Sequence, residues 1–156
     1  MGNLKICLAR EEILIKQLNR GDFLFLDSAF DIEPGISGKA LFNLSSELWI
    51  FNDHFPGNPL FPGSLTQEAM TQLGGLVCAC RPGFERSTYY LARTRSFSQF
   101  AQLRPEDCMH IFVSTEIKPR GLVDVRGEVY SQKSELVAKG YFILVSEIEY
   151  VGTEKN

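Results

Sequence analysis

Apolar and polar positions along the chain change period several times, and each change marks an element. Residues 9–18 set Ile13, Leu14, Ile15 and Leu18 among Glu11, Glu12, Lys16 and Gln17, the spacing of a short helix. Arg20-Gly21-Asp22 breaks it. The run Phe23–Ile32 is largely apolar and aromatic. It predicts a largely buried strand, closed by the turn signal Glu33-Pro34-Gly35, and Ile36–Leu44 predicts its hairpin partner. From Glu47 to Gly63 the pattern lapses, and Pro56, Pro59 and Pro62 exclude a helix or a central strand there. Helical period returns from Ser64 to Cys80, where Leu65, Ala69, Leu73, Leu76 and Cys80 form one stripe. Met70 and Val77 lie beside the stripe, and Gly74-Gly75 allows close backbone approach. Glu68 is the sole formal charge on this segment, and a helix apolar nearly all round is a buried one.

Arg81-Pro82-Gly83 ends the helix, and everything after it reads as strand: Ser87–Leu103, Cys108–Lys118, Leu122–Tyr130 and Glu135–Ile148. The third alternates most cleanly, with Val123, Val125, Gly127 and Val129 on one side and Asp124, Arg126 and Glu128 on the other. Two strands, one buried helix and four strands predict an α+β fold. Its natural packing is a curved antiparallel sheet wrapped around the central helix, in a single domain spanning 1–156.

Composition narrows the function classes. A chain of 156 residues can bury a real core, and a net charge of −3 leaves no electrostatic footprint for nucleic acid or an anionic membrane surface. No stretch approaches the ~20 apolar residues of a membrane span. The N-terminal MGNLKICLAREE is broken by Lys5, Arg10, Glu11 and Glu12, which excludes a signal peptide. Ile6 stands where myristoylation of Gly2 wants Ser or Thr. Cys7, Cys78, Cys80 and Cys108 form no Cys-x-x-Cys, and with two histidines they give no metal-ligand set. Reduced, buried thiols in a cytoplasmic protein are expected.

Three residues invite chemistry. Glu68 lies one turn inside the buried helix, where an unpaired carboxylate is costly. Either desolvation keeps it protonatable for general acid catalysis, or it is a structural acceptor for free N–H groups near the helix start. His54, in the proline-rich stretch, is either an ordinary polar loop residue or a general base. Gly63, just before the helix, is either a turn glycine or an unobstructed N–H donor aimed at developing negative charge. His110 sits on an alternating strand with no such context.

Taken together, these positions are more specific than any alone. The string His54-Phe55-Pro56-Gly57-x-Pro59-Leu60-Phe61-Pro62-Gly63-x-Leu65-x-x-Glu68-Ala69-Met70-x-Gln72 resembles the signature HFPGxPVMPGxLxxEAxxQ. That is the signature of the 3-hydroxyacyl-[acyl-carrier-protein] dehydratases of type II fatty acid synthesis. More weakly, Phe23-Leu24-Phe25-Leu26-Asp27 resembles the family's FLLxD strand, and Arg104-Pro105-Glu106-Asp107 its later Pro-Gly-Asp turn.

The resemblance implies the hotdog fold and the dehydration of a 3-hydroxyacyl thioester to the trans-2-enoyl thioester. It implies that His54 handles the α-proton, Glu68 protonates the leaving β-hydroxyl, and the Gly63 N–H polarises the thioester carbonyl. The Leu60 carbonyl would orient the imidazole and Gln72 would position Glu68. Further implications are a homodimer or trimer of dimers, each site drawing His54 and Glu68 from opposite subunits, and an apolar tunnel for the acyl chain. No metal or organic cofactor is implied, because the substrate arrives on the phosphopantetheine of acyl carrier protein. Arg93, Arg95 and Arg104 are candidates to meet that acidic partner, or are simply solvated.

Two departures stand out. Asp53 replaces the family's Gly before the histidine, and a carboxylate there either acts on the imidazole or faces water. The family's Leu-Pro-His-Arg stretch reads Lys16-Gln17-Leu18-Asn19-Arg20. Trp49-Ile50-Phe51 and Pro62-Gly63-Ser64-Leu65 resemble the related dehydratase/isomerase group and the dehydratase domains of polyunsaturated fatty acid and polyketide synthases. Glu rather than Asp at position 68 leans toward the dehydratase-only group. The alternatives are a bifunctional dehydratase/isomerase and a non-catalytic acyl-thioester-binding subunit of a synthase.

Overall fold

The computed structural model describes residues 5–147. One antiparallel sheet of seven strands curves around a central helix, the hotdog arrangement. In chain order the elements are β1 (Ile6–Ala9), α1 (Arg10–Lys16), β2 (Ser28–Glu33), β3 (Ser37–Asn43), α2 (Ile50–Asp53), α3 (Gly63–Ala79), β4 (Tyr89–Gln99), β5 (Cys108–Ile117), β6 (Leu122–Tyr130) and β7 (Leu136–Ser146). Their order across the sheet is β1-β2-β3-β5-β6-β7-β4.

The helix α3 is the hub, packed against β2 through β7. Ala69, Met70, Leu73, Leu76 and Val77 are fully buried on it, each larger one contributing about 1.5–3 kcal/mol of apolar burial. Leu73→Ala would cost about 2–5 kcal/mol through lost burial and the cavity left behind. Gly74 sets the distance to the sheet: a Cβ there would lie 2.9 Å from both Val125 methyl groups, so β6 could not approach so closely past any larger residue. Opposite it, Val123, Val125 and Val129 of β6 point inward, as the period-two pattern requires.

Five expectations change. A seventh strand, β1, pairs with β2 ahead of the helix at 10–16; its four residues are too few to show alternation. The buried run from Phe23 does not join a ladder until Ser28, because side chains take the place of neighbouring strands. Phe25 N–H donates to Gln72 Oε1 at 2.9 Å, Phe23 O accepts from Gln72 Nε2 at 2.8 Å, and Leu26 O accepts from Arg10 Nη1 at 2.9 Å. A single turn of helix, α2, interrupts the irregular stretch just before its prolines, and it buries Phe51. The four thiols are free and Cys78 and Cys80 are buried, but Cys7 is exposed beside the buried Leu8 and Cys108 is only half-buried. The strand expected to reach Ile148 runs to Ser146; Ile148 and Gly2 lie outside the described residues.

At one end of the sheet lies β4, exposed along most of its eleven residues. Its inner neighbour is β7, and its other edge has no partner strand among the described residues. No helix among them is long and apolar enough to cross a membrane.

Candidate active site

The segment between α2 and α3 is irregular but pinned at both ends. His54 caps α2, its N–H donating to Ile50 O at 2.8 Å, and Leu60 N–H returns to His54 O at 2.8 Å. Between them Phe55 and Asn58 exchange backbone hydrogen bonds of 3.1 and 2.9 Å across a turn that Gly57 closes at φ 74°. The His54–Phe55 peptide bond is cis. Beyond the turn, Phe61 bridges to Leu103 and is buried against Phe25 and Phe51, which anchors the loop in the core.

This frame fixes the histidine. His54 Nδ1 lies 2.9 Å from Leu60 O. A carbonyl can only accept, so Nδ1 carries a proton, and in the neutral ring Nε2 is left with a free lone pair. The Phe55 ring stacks on the imidazole at 4.0 Å between centroids. The half-buried ring therefore has one orientation, one tautomer and one basic nitrogen to offer. Asp53, beside it in sequence, is exposed and its carboxylate makes no hydrogen bond or ion pair among the described residues.

Glu68 is held differently. It sits half-buried on α3 with Oε1 accepting from Gln72 Nε2 at 3.0 Å, one helical turn away. Thr71 Oγ1 donates to the Glu68 backbone carbonyl at 2.9 Å and reaches Oε2 at 3.5 Å. Burial pushes the Glu68 carboxyl above its ordinary range, against the opposing pull of the Gln72 and Thr71 hydrogen bonds. The structural alternative for Glu68 does not apply, since its partners are side chains rather than free N–H groups at the helix start. Gln72 spends its whole amide here, joining Glu68 to the Phe23–Phe25 backbone. Glu68, Thr71 and Gln72 line a cavity of about 340 Å³ together with Gln17, Leu18 and Asn19.

Gly63 is the first residue of α3. Its N–H has no acceptor within the helix, and none elsewhere among the described residues. A Cβ at this position would lie 3.0 Å from Gln99 Oε1 and 3.4 Å from Phe97, so a side chain would crowd the start of the helix.

Four of the five expected residues fall into two groups within one chain, and Gly63, at the start of α3, is hydrogen-bonded to neither. His54 goes with Leu60, and Glu68 with Gln72; no hydrogen bond joins the groups, and His54 does not line the cavity beside Glu68. Thr71 and Gln17 were missed. Thr71 was legible as the residue one turn after Glu68; Gln17 lay in the stretch that departs from the family pattern. Of the arginines, Arg93 and Arg95 are exposed on β4, while Arg104 donates to Asn58 Oδ1 in the histidine loop at 3.1 Å. Among the described residues no cluster of three or more His, Cys, Asp or Glu is placed to hold a metal ion.

Fold and site define a class: a hotdog protein with an oriented imidazole and a partly desolvated carboxyl, equipped for acid–base chemistry. More narrowly, the model of the FabA-like domain matches residues 18–139, and the chain belongs to that family. A curated relative from Symbiobacterium thermophilum, named 3-hydroxyacyl-[acyl-carrier-protein] dehydratase FabZ, is 32% identical over 112 residues, covering 72% of this chain and 79% of its own. A protein of the same name from Escherichia coli O9:H4 is 35% identical over 122 residues, covering 75% and 79%. Among solved structures, the dehydratase heterocomplex ApeI:P from Xenorhabdus doucetiae aligns with a TM-score of 0.73 at 12% identity, covering 92% of this chain and 97% of that one. That likeness bears on fold alone.

Proposed function

We propose that this protein removes water from a 3-hydroxyacyl chain carried on acyl carrier protein, giving the trans-2-enoyl thioester, and that His54 and Glu68 do the chemistry. His54 Nε2 takes the proton from the α-carbon, and the Gly63 N–H holds the thioester oxygen as it gains charge. Protonated Glu68 gives its proton to the β-hydroxyl, the carbon–oxygen bond breaks, and water leaves. The proton gained by His54 and the one lost by Glu68 are then exchanged through solvent. Leu60 O orients the base and Gln72 positions the acid. These steps draw on protein groups and on the phosphopantetheine thioester that the substrate brings, so they call for no metal or organic cofactor.

The observation that carries this reading is the division of labour: a histidine whose tautomer leaves Nε2 basic, and a carboxyl biased by burial toward its acid form. Family membership and the names of the relatives support the substrate class. The separation of the two groups in one chain, and the long edge of β4 that has no partner strand among the described residues, support sites assembled between two copies, in a homodimer or a trimer of dimers. We place the protein in the cytoplasm as a single hotdog domain. The test is the reverse reaction: purified protein hydrates a trans-2-enoyl thioester, seen as loss of conjugated absorbance. His54→Ala and Glu68→Gln each lower the rate by about 10²–10⁴-fold in a folded protein. Undiminished turnover in either variant removes that residue from the mechanism, and a cis-3 product shows the isomerase instead.

A further inference from the structure

We propose that Thr71 is a positioning residue for the acid: its hydroxyl holds the proton of Glu68 Oε2 before transfer and turns its own hydrogen to that oxygen afterwards. The inference rests on the dehydratase reading above and adds a residue to the same site. It starts from the two carboxyl oxygens, which have different neighbours. Oε1 accepts from Gln72 Nε2 at 3.0 Å, and an amide N–H can only donate. A protonated carboxyl has one carbonyl oxygen and one hydroxyl oxygen. Gln72 therefore makes Oε1 the carbonyl oxygen, and the proton rides on Oε2.

Oε2 lies 3.5 Å from Thr71 Oγ1. The Thr71 hydroxyl has a single hydrogen, and the Glu68 backbone carbonyl at 2.9 Å is much the nearer acceptor. With its hydrogen spent there, Oγ1 keeps its lone pairs, and the Oε2–H can point at one of them. At 3.5 Å such a contact is at the outer limit of a hydrogen bond, so it orients the proton without gripping it. Catalytic contacts are often long before substrate binds and tighten in the complex. Thr71 is buried and lines the cavity beside Glu68, so the proton is held at the wall of the space a β-hydroxyl would enter.

When the proton passes to the β-oxygen, Oε2 becomes anionic. Rotation about the Thr71 Cβ–Oγ1 bond then carries the hydroxyl hydrogen from the Glu68 carbonyl to Oε2, and Thr71 keeps all its covalent bonds. Gln72 cannot follow the proton in this way, because its amide donates to Oε1 in either state. A hydrogen bond to the charged form is the stronger of the two, so on balance Thr71 favours the ionised acid. The same helix supplies a control. Thr66 Oγ1 also bonds back to the backbone, donating to Pro62 O at 3.3 Å, but no carboxyl accepts from it among the described residues. A back-bonded threonine is thus ordinary on α3; one with a half-buried carboxyl oxygen beside it is not.

The test measures kcat, KM and the pH profile for dehydration of 3-hydroxyacyl pantetheine thioesters. Thr71→Val keeps the shape and removes the hydroxyl. It should lower kcat about tenfold while KM changes by less than about twofold. The high-pH limb should move to more alkaline pH, because a donor to the carboxylate is gone. Thr71→Ser keeps the hydroxyl and should return kcat to within about twofold of wild type. Thr66→Val removes a hydroxyl bonded only to backbone and should leave kcat and the limb in place. Should Thr71→Val fail to fold, Thr71→Ala removes the same oxygen and carries the same expectation. Unchanged kcat and limb in a folded variant without the hydroxyl, or a loss that Thr71→Ser does not restore, overturns the role of Thr71 while the dehydratase reading stands. A raised KM at constant kcat overturns it too, and leaves Thr71 as cavity wall alone. No turnover of any thioester by the wild-type protein removes the dehydratase reading and this inference together.

Discussion

The loop that carries His54 and the helix that carries Glu68 solve the same problem by opposite means. The loop has almost no regular structure, and around its turn Phe55, Pro56, Gly57 and Asn58 are exposed. Its histidine is oriented by backbone: one carbonyl at Leu60, and the chain reversals at His54–Leu60 and Phe55–Asn58. The helix is regular and dry, and its carboxyl is oriented by side chains, chiefly the Gln72 amide. A base needs a fixed lone pair and can tolerate solvent nearby. An acid that must hold its proton at neutral pH needs burial and few strong donors. Burial thus favours the acid form of Glu68, while the Leu60 carbonyl fixes which ring nitrogen of His54 is turned away from the backbone.

The largest effect should come from asking whether the two halves belong to one chain. Separately, His54→Ala and Glu68→Gln proteins should be nearly inactive. Mixed and allowed to exchange subunits, they should recover about a quarter of the wild-type rate, because half of the dimers are hybrids with one intact site of two. Recovery reports sites shared between copies. A mixture that stays inactive although hybrid dimers form would show that each site is built from a single chain.

Next comes the side-chain support of the acid. Gln72→Leu removes the donor to Glu68 and leaves the Phe25 N–H unpaired in the core. Stability should fall by about 1–3 kcal/mol, read as a lower urea midpoint. The dehydration rate should fall by about 10- to 100-fold as the carboxyl loses its fixed position. The Gln72 hydrogen bond lowers the Glu68 pKa, so its removal raises it further. With Glu68 as the proposed acid, dehydration needs its protonated form and declines as pH climbs through that pKa. The high-pH limb of the profile should therefore move to more alkaline pH in the variant. A shift the other way would show that Gln72 is not a donor to the carboxylate.

How far these two halves could be read in advance differs for a physical reason. The helix was plain: a 3.6-residue apolar period from Leu65 to Cys80, with one carboxylate intruding, has few other interpretations. The histidine loop was identifiable as a string of residue types, but its backbone bonds have no periodic trace; that Leu60 O meets Nδ1 came from resemblance. The run Phe23–Leu26 misled because an apolar stretch shows that it is buried and not what pairs with its backbone. Here the partners are Gln72 and Arg10, 47 and 14–16 residues away. The division of the Glu68 oxygens between Gln72 and Thr71 could not be read at all, since helical spacing brings side chains together without choosing their atoms.

A smaller effect tests what burial costs the acid half. With its folded-state pKa raised, Glu68 favours the native state when protonated, and that contribution is lost as pH rises through the raised value. At neutral pH the ionised group burdens the fold, whereas a neutral amide would not. Glu68→Gln should therefore be more stable than wild type at pH 7 by well under about 1 kcal/mol, the group being partly solvated, or about 1–2 °C in Tm. The gap should close as pH falls below the ordinary carboxylate value of 4.5. A Glu68→Gln protein less stable at neutral pH would mean that the carboxylate, not the acid, is the form the fold prefers.

The smallest effect belongs to the residue that looked most disruptive in the sequence. Asp53 replaces a glycine directly before the base, and a carboxylate bonded to the imidazole would change its tautomer or its basicity. The geometry leaves no opening for that. His54 Nδ1 is already committed to Leu60 O, and the Asp53 carboxylate is exposed, with no partner among the described residues. At the last residue of α2 it also stands at the negative end of a helix too short for much dipole. Asp53→Asn should accordingly change kcat/KM by less than about twofold, and the small change that remains should shrink with added salt, as a solvent-screened charge requires. A loss of about tenfold or more would show that Asp53 turns toward the imidazole once substrate is bound, and the base half would then depend on a side chain after all.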